Sequence, residues 1–250
     1  MSIEKTRLRV MAAGVDVVTW ADAINILLRW GGDRESRVVC ACNVHMVVTA
    51  SRDIAFASGL EGADLVTPDG APVVWAIRRA GYTQERVNGP DLMWEYLAKA
   101  ELAKQVVFFF GGKESVLKDL GIAIAKSFPK LKVGGMVSPP FRDLTEEEDE
   151  SYVAQINAAG AAVVFVGLGC PKQEFWMWSH RDRINSVLIG VGAAFDYHAG
   201  SVRRAPVWMQ HIGLEWAYRL LTEPRRLWKR YLVTNVLFLI GMAKCGFKAK

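Results

Sequence analysis

Six short apolar runs, rich in β-branched and aromatic residues, recur at 38–41, 64–66, 106–110, 131–136, 162–167 and 187–191. Between them the segments 21–30, 45–58, 72–80, 92–104, 114–128, 146–159 and 173–183 each carry one apolar stripe at helical spacing. Strands that alternate with helices pair in parallel, and the crossover helices then cover both faces of the sheet. At 250 residues and 51% hydrophobic composition the chain is long enough to bury a full core of this kind. The expected fold is therefore α/β, with a mostly parallel sheet over 1–200 and a helical appendage over 201–250.

Such sheets bind ligands outside the carboxyl ends of their strands, which directs attention to the loops that follow each run. Asp69 lies in Thr67-Pro68-Asp69-Gly70, immediately after a strand and before a helix that starts near Pro72. That place suits a helix cap or turn and equally suits a carboxylate presented to a cleft. Gly111 and Gly112 end another strand, and Gly70 allows close backbone approach beside Asp69. The segment Gly167-Leu168-Gly169-Cys170-Pro171-Lys172-Gln173 ends a strand in glycines and opens a helix, an arrangement whose backbone N–H groups attract anions. It is not a dinucleotide fingerprint, because Pro171 and Lys172 interrupt the glycine spacing. Thr145 followed by the acidic run 146–150 reads as a capped, solvated helix start. No Asp-x-Asp ends a strand and no histidine pair has ligand spacing, so no metal is expected. The four cysteines form neither a disulfide framework nor a zinc site and read as reduced thiols.

The net charge of +5 is unevenly placed. From Arg203 onward ten Lys or Arg face only Glu215 and Glu223, which leaves the rest of the chain net acidic. Trp208, Trp216, Tyr218, Leu220, Leu221, Leu227, Trp228 and Tyr231 interleave with these cations. That mixture suits an anionic membrane surface better than nucleic acid. The apolar run 231–243 is shorter than the roughly 20 residues needed to span a bilayer, so it is expected to lie on a membrane. An apolar tail away from a membrane also offers a surface for homo-oligomerisation. The N-terminus turns polar almost at once, and a cytoplasmic location is expected.

Arg204-Ala205-Pro206, Glu215-Trp216, Tyr218-Arg219 and Glu223-Pro224-Arg225-Arg226 follow one another in register. Together with Thr67 to Pro72, Arg86 to Leu92 and the Gly-x-Pro-x-Gln-Glu pattern at 169–174, this order resembles the WecG/TagA/CpsF glycosyltransferases, over about 43–231. The resemblance implies a Rossmann-like, membrane-peripheral inverting enzyme that moves a sugar from a UDP-sugar donor to a polyprenyl-diphosphate-linked saccharide. It implies Asp69 as the base. It further implies substrate contacts from Asn43, Gly70, Arg86, Asp91, Gly111, Gly112 and Gln173, and a tail whose Arg219 and Arg226 hold the diphosphate without cofactor or metal. Lys229 can share their helical face, and Arg225, Lys229, Arg230, Lys244 and Lys248 are expected at lipid. Many family members carry Thr where this chain has Ala41, so a hydroxyl contact is missing here. A non-catalytic scaffold of a polysaccharide assembly complex is the rival reading.

Overall fold

The computed structural model describes residues 6–244, and the statements below concern those residues; Cys245 and Lys248 lie outside them. The first described elements form an antiparallel hairpin, β1 (Arg7–Val10) and β2 (Ala13–Asp16), which the periodicity did not predict. Its turn lacks the usual Gly or Asn, and Met11 takes the left-handed conformation at φ 55. Buried Asp16 explains why the hairpin forms, since it receives two 2.8 Å bonds from Arg7 and a third from the Val66 amide.

Helix α1 (Trp20–Gly32), capped by Thr19, leads into β3 (Arg37–Cys42). The single helix expected over 45–58 is two, α2 (Val44–Ala50) and α3 (Ile54–Glu61). The apolar stripe runs through the break, but Asp53 adopts extended backbone and caps α3 by accepting from the Phe56 amide at 3.0 Å. Then come β4 (Leu65–Pro68), α4 (Ala71–Arg79), α5 (Gly89–Ala103), β5 (Val106–Gly111), α6 (Glu114–Ser127) and β6 (Lys132–Val137). The core closes with α7 (Glu146–Ala158), β7 (Val163–Gly167), α8 (Lys172–His180), β8 (Val187–Gly190) and the short α9 (Ala194–His198). The appendage forms α10 (Val207–His211), α11 (Glu215–Thr222) and α12 (Pro224–Lys244), with Pro224 at the first helical position, where its missing N–H is harmless.

Strands β3 to β8 make one all-parallel, Rossmann-like sheet in the order β4-β3-β8-β7-β5-β6. Alternation sorts their side chains into two cores. Val38, Cys40, Cys42, Phe108, Phe110, Val164 and Val166 face α2, α3 and α8, and the same core receives Phe238 and Met242 from α12. Val39, Val107, Phe109, Val163, Phe165 and Ile189 face α1, α5, α6 and α9. Cys40 and Cys42 are buried free thiols.

The carboxyl ends of β5 and β7 touch so closely that a side chain at Gly111 would place its Cβ 2.6 Å from the Gly167 carbonyl carbon. Gly111 also sits at φ 118, outside the range that L residues favour. Gly111→Ala is expected to cost roughly 1–3 kcal/mol from the backbone conformation alone, with the clash adding to it. Urea unfolding that gives a lower midpoint at unchanged slope would show this directly.

Candidate active site

The carboxyl ends of β3, β4, β5, β7 and β8 open into one cavity of about 2100 Å³, roofed by α11 and α12. Asp69 stands in its wall. The strand pairing continues past β4, because the Asp69 amide donates to the Cys42 carbonyl at 2.9 Å. The helix cap is Gly70, which makes no side-chain cap bond, so the Asp69 carboxylate is not used as one. Gly70 lies against Asn43, where a Cβ would come within 3.4 Å of the Asn43 Cα. Asn43 caps α2 by accepting from the His45 and Met46 amides, and its side chain favours the ionised form of the neighbouring Asp69. Burial pushes the Asp69 carboxyl above its ordinary range; Arg86 opposes this, Glu215 adds to it, and Asn43 and Arg204 oppose it. The side chain nevertheless keeps 19% of its exposure, toward the cavity.

Around Asp69 runs a chain of shared ion pairs. The Arg86 Nε donates to the Asp69 carbonyl at 2.6 Å, while its Nη2 lies 2.5 Å from Glu215 Oε2 and 3.7 Å from Asp69 Oδ1. Arg204 bonds the other Glu215 oxygen at 3.3 Å and grips Asp91 with both terminal nitrogens. Asn88 caps α5 by accepting from the Asp91 amide at 3.0 Å and donates to the Asp91 carboxylate at 2.7 Å. Burial works against ionisation of Asp91, but the bonds from Arg204 and Asn88 outweigh it and hold the carboxyl below its ordinary range. Asp91 thus meets the appendage directly. Arg204 and Glu215 belong to the Arg-Ala-Pro and Glu-Trp elements, yet no role was expected of either from the sequence; their opposite charges were the available signal.

Gln173 turns out to be buried. Its Oε1 accepts from the Gly169 and Gly192 amides, both at 3.2 Å, and its Nε2 donates to Glu174 Oε1 at 2.6 Å. It therefore clamps the loops after β7 and β8 while still lining the cavity. Gly190 makes room for it, since a Cβ there would lie 2.9 Å from the amide nitrogen. Gly112 lines the cavity beside β5, whereas Gly111 serves the strand contact beneath it. The acidic run at 146–150 divides: Thr145 and Glu148 form a reciprocal cap, and Asp149 pairs with His180 and Arg183 at 2.8 Å each. His198 stacks on Trp94 and bonds the Pro90 carbonyl at 2.9 Å.

The roof supplies positive charge. Arg219 lies over the Tyr197 ring, 5.6 Å from its centre, and approaches Glu223 only at 3.9 Å. Arg226 pairs with Glu223 at the cavity edge. Arg230, expected at lipid, points into the cavity instead, with its Nε buried and unpartnered. Burial and the neighbouring Arg219 and Arg226 depress its affinity for its proton. The same guanidinium helps burial hold the His45 imidazole down to about 4. Lys229 lies outside, over the Trp228 ring. Among the described residues no group of three or more His, Cys, Asp or Glu is placed to hold a metal ion.

A Rossmann-like sheet whose strand ends present a proton-seeking carboxylate beneath under-neutralised guanidinium groups suits an enzyme that acts on an anionic substrate. The profile of the Glycosyl transferase WecG/TagA/CpsF family matches residues 8–250. The chain is 34% identical over 197 residues to the N-acetylglucosaminyldiphosphoundecaprenol N-acetyl-beta-D-mannosaminyltransferase of Bacillus subtilis, covering 78% of this chain and 75% of that protein. It is 35% identical over 196 residues to the protein of the same name from Bacillus spizizenii, with 74% of each covered. The chain belongs to the WecG/TagA/CpsF family and is a glycosyltransferase.

The raised position of Asp69 has a consequence for stability. A carboxyl that holds its proton more tightly in the folded state gives its full stabilisation below the unfolded value of about 3.9, and loses it as pH rises through the folded value. At neutral pH ionised Asp69 therefore works against folding. Asp69→Asn is expected to unfold at higher urea than the parent at pH 7, with the gap closing below about pH 4.

Proposed function

We propose that the protein transfers an N-acetylhexosaminyl group from a UDP-sugar to a hydroxyl of a saccharide carried on polyprenyl diphosphate, with inversion. The Bacillus relatives are named for adding an N-acetyl-β-D-mannosaminyl group to N-acetylglucosaminyldiphosphoundecaprenol. UDP-N-acetylmannosamine and that acceptor are accordingly the first pair to try. In the step, the acceptor oxygen forms a bond to the sugar C1 as the C1–O bond to UDP breaks, and its electron pair leaves with the diphosphate. Asp69 takes the acceptor proton. A β product from an α-linked donor needs only this single displacement, and so only one base.

The observation that carries the reading is that Asp69, biased toward taking a proton, shares one cavity with Arg219 and Arg230, whose side chains lack close counter-ions. Guanidinium groups already in place where charge develops on the leaving diphosphate lower the barrier without reorganising, and here they would stand in for a metal. Gly112, Gln173 and Arg226 border the same space and complete the donor site.

The appendage would bring the enzyme to the inner face of the cell membrane. Among the described residues no helix is long and apolar enough to cross one. Helix α12 buries Leu227, Thr234, Phe238 and Met242 toward the core and leaves Leu232, Val236, Leu239 and Ile240 exposed. By helical spacing these exposed residues run along one side of α12 together with the exposed Arg225, Lys229 and Lys244, a mixture suited to anionic lipid.

Asp69→Asn is expected to lower transfer by a factor on the order of 10²–10⁴, the usual worth of a general base, in an assay with liposomes. EDTA should leave the parent rate unchanged. The acid limb of kcat/KM should lie above the ordinary aspartate range near 3.9. Deletion of 223–250 removes Arg226, Arg230 and the lipid face together, so it should abolish transfer; an undiminished rate would refute the role given to the tail.

A further inference from the structure

Arg86 stands between two carboxylates and serves them unequally. Its Nε is pinned to the Asp69 carbonyl at 2.6 Å, which confines the guanidinium to a region from which one nitrogen, Nη2, can reach either acid. That nitrogen lies 2.5 Å from Glu215 and 3.7 Å from Asp69. Arg204 divides itself in the same way between Glu215 and Asp91. Three carboxylates thus share two guanidinium groups, and Asp69, at the end of the chain with the longest ion contact, is the least neutralised. Glu215 is also the only one of the three carried by the appendage, as the first residue of α11.

We propose that Glu215 is a positioning residue that holds the Arg86 guanidinium away from the Asp69 carboxylate, so that the base is free to take a proton only while the tail carrying Glu215 is seated on the core. With the tail displaced, Arg86 has Asp69 as its remaining partner within reach of its tether. A closed Arg–carboxylate pair occupies the carboxylate lone pairs and makes it a poorer base. Seating the tail would therefore do two things together, bringing Arg219 and Arg230 over the cavity and releasing the base beneath them. The inference rests on the assignment of Asp69 as base.

The groups that face Asp69 come from five other elements. Cys42 ends β3 and is kept neutral by burial; Asn43 opens α2; Arg86 and Arg204 precede α5 and α10; Glu215 opens α11. Among them Glu215 is the acid that works in the same direction as burial on Asp69.

The test is a carbon-13 NMR titration of the full-length protein labelled at aspartate carboxyls, with the Asp69 signal assigned by its loss in Asp69→Asn. Glu215→Gln is expected to move the Asp69 midpoint down by about one pH unit, the lower end of what an adjoining opposite charge produces. Arg86→Gln should move it up, and in that background Glu215→Gln should produce only a small fraction of its former shift. Glu215→Asp keeps the charge but retracts it by one methylene, so it should follow Glu215→Gln in direction. The acid limb of kcat/KM for UDP-N-acetylmannosamine should track the NMR midpoint in each variant. An unmoved midpoint in Glu215→Gln overturns the proposal, as does a shift of equal size with and without Arg86, which would reflect charge at a distance alone. Full transfer by Asp69→Asn would instead remove the base assignment, and this proposal with it.

Discussion

The shared ion pairs running from Asp69 through Arg86, Glu215 and Arg204 to Asp91 are the constraint on which the site depends. They connect the end of β4, the segments before α5 and α10 and the start of α11, and the Arg86–Glu215 pair joins residues 129 apart in the chain. Partly buried ion pairs contribute little net stability, because desolvation offsets most of the attraction, but removing one member leaves its partners uncompensated. The network therefore fixes position rather than adding strength. Apolar packing of Phe238 and Met242 into the core beside α2 supplies much of the adhesion that keeps the roof in place.

Two buried groups of opposite charge line the cavity. The core contributes the Asp69 carboxylate, which burial drives toward protonation, and the roof contributes the Arg230 guanidinium, which burial drives toward deprotonation. Each alone is unfavourable, and under the proposed function each complements one end of the transfer: a proton arriving from the acceptor, and negative charge arriving on the leaving group. Their separation onto core and roof also explains why Tyr197 matters, since its ring faces both Arg204 and Arg219 at just under 6 Å and spaces the network from the cation cluster.

Much of the fold was legible because strand and helix periods differ, and the β3 to β8 runs fall within a residue or two of their expected bounds. The exceptions depended on distant partners. The hairpin has no turn residue to announce it and exists through Asp16 and the Val66 amide. The break between α2 and α3 was hidden under a continuous apolar stripe. At the site, Asp69 was legible as a carboxylate placed at a strand end, whereas Arg219 and Arg226 were singled out only through the resemblance. Gln173 was legible as important but not in its direction, because the acceptors and donors around a side-chain amide come from the loops after two strands. Lys229 and Arg230 are neighbours, and which of them faces inward is set by the rotation of α12 about Leu227, Thr234 and Phe238, a tertiary fact.

The electrostatic arrangement has a thermodynamic corollary. Among the described residues Arg230 has no ion-pair partner and Asp69 only a shared one, so the surrounding packing holds both charges in place against their desolvation. A diphosphate in the cavity would relieve the arginines, and any group that binds the folded form alone stabilises it by mass action. It would not relieve Asp69, whose neighbourhood would become more negative and whose hold on a proton would strengthen. With Asp69 as the proposed base, donor binding and base strength would be coupled in the useful direction: an anion held by the roof would increase the appetite of the carboxylate below it for the acceptor's proton.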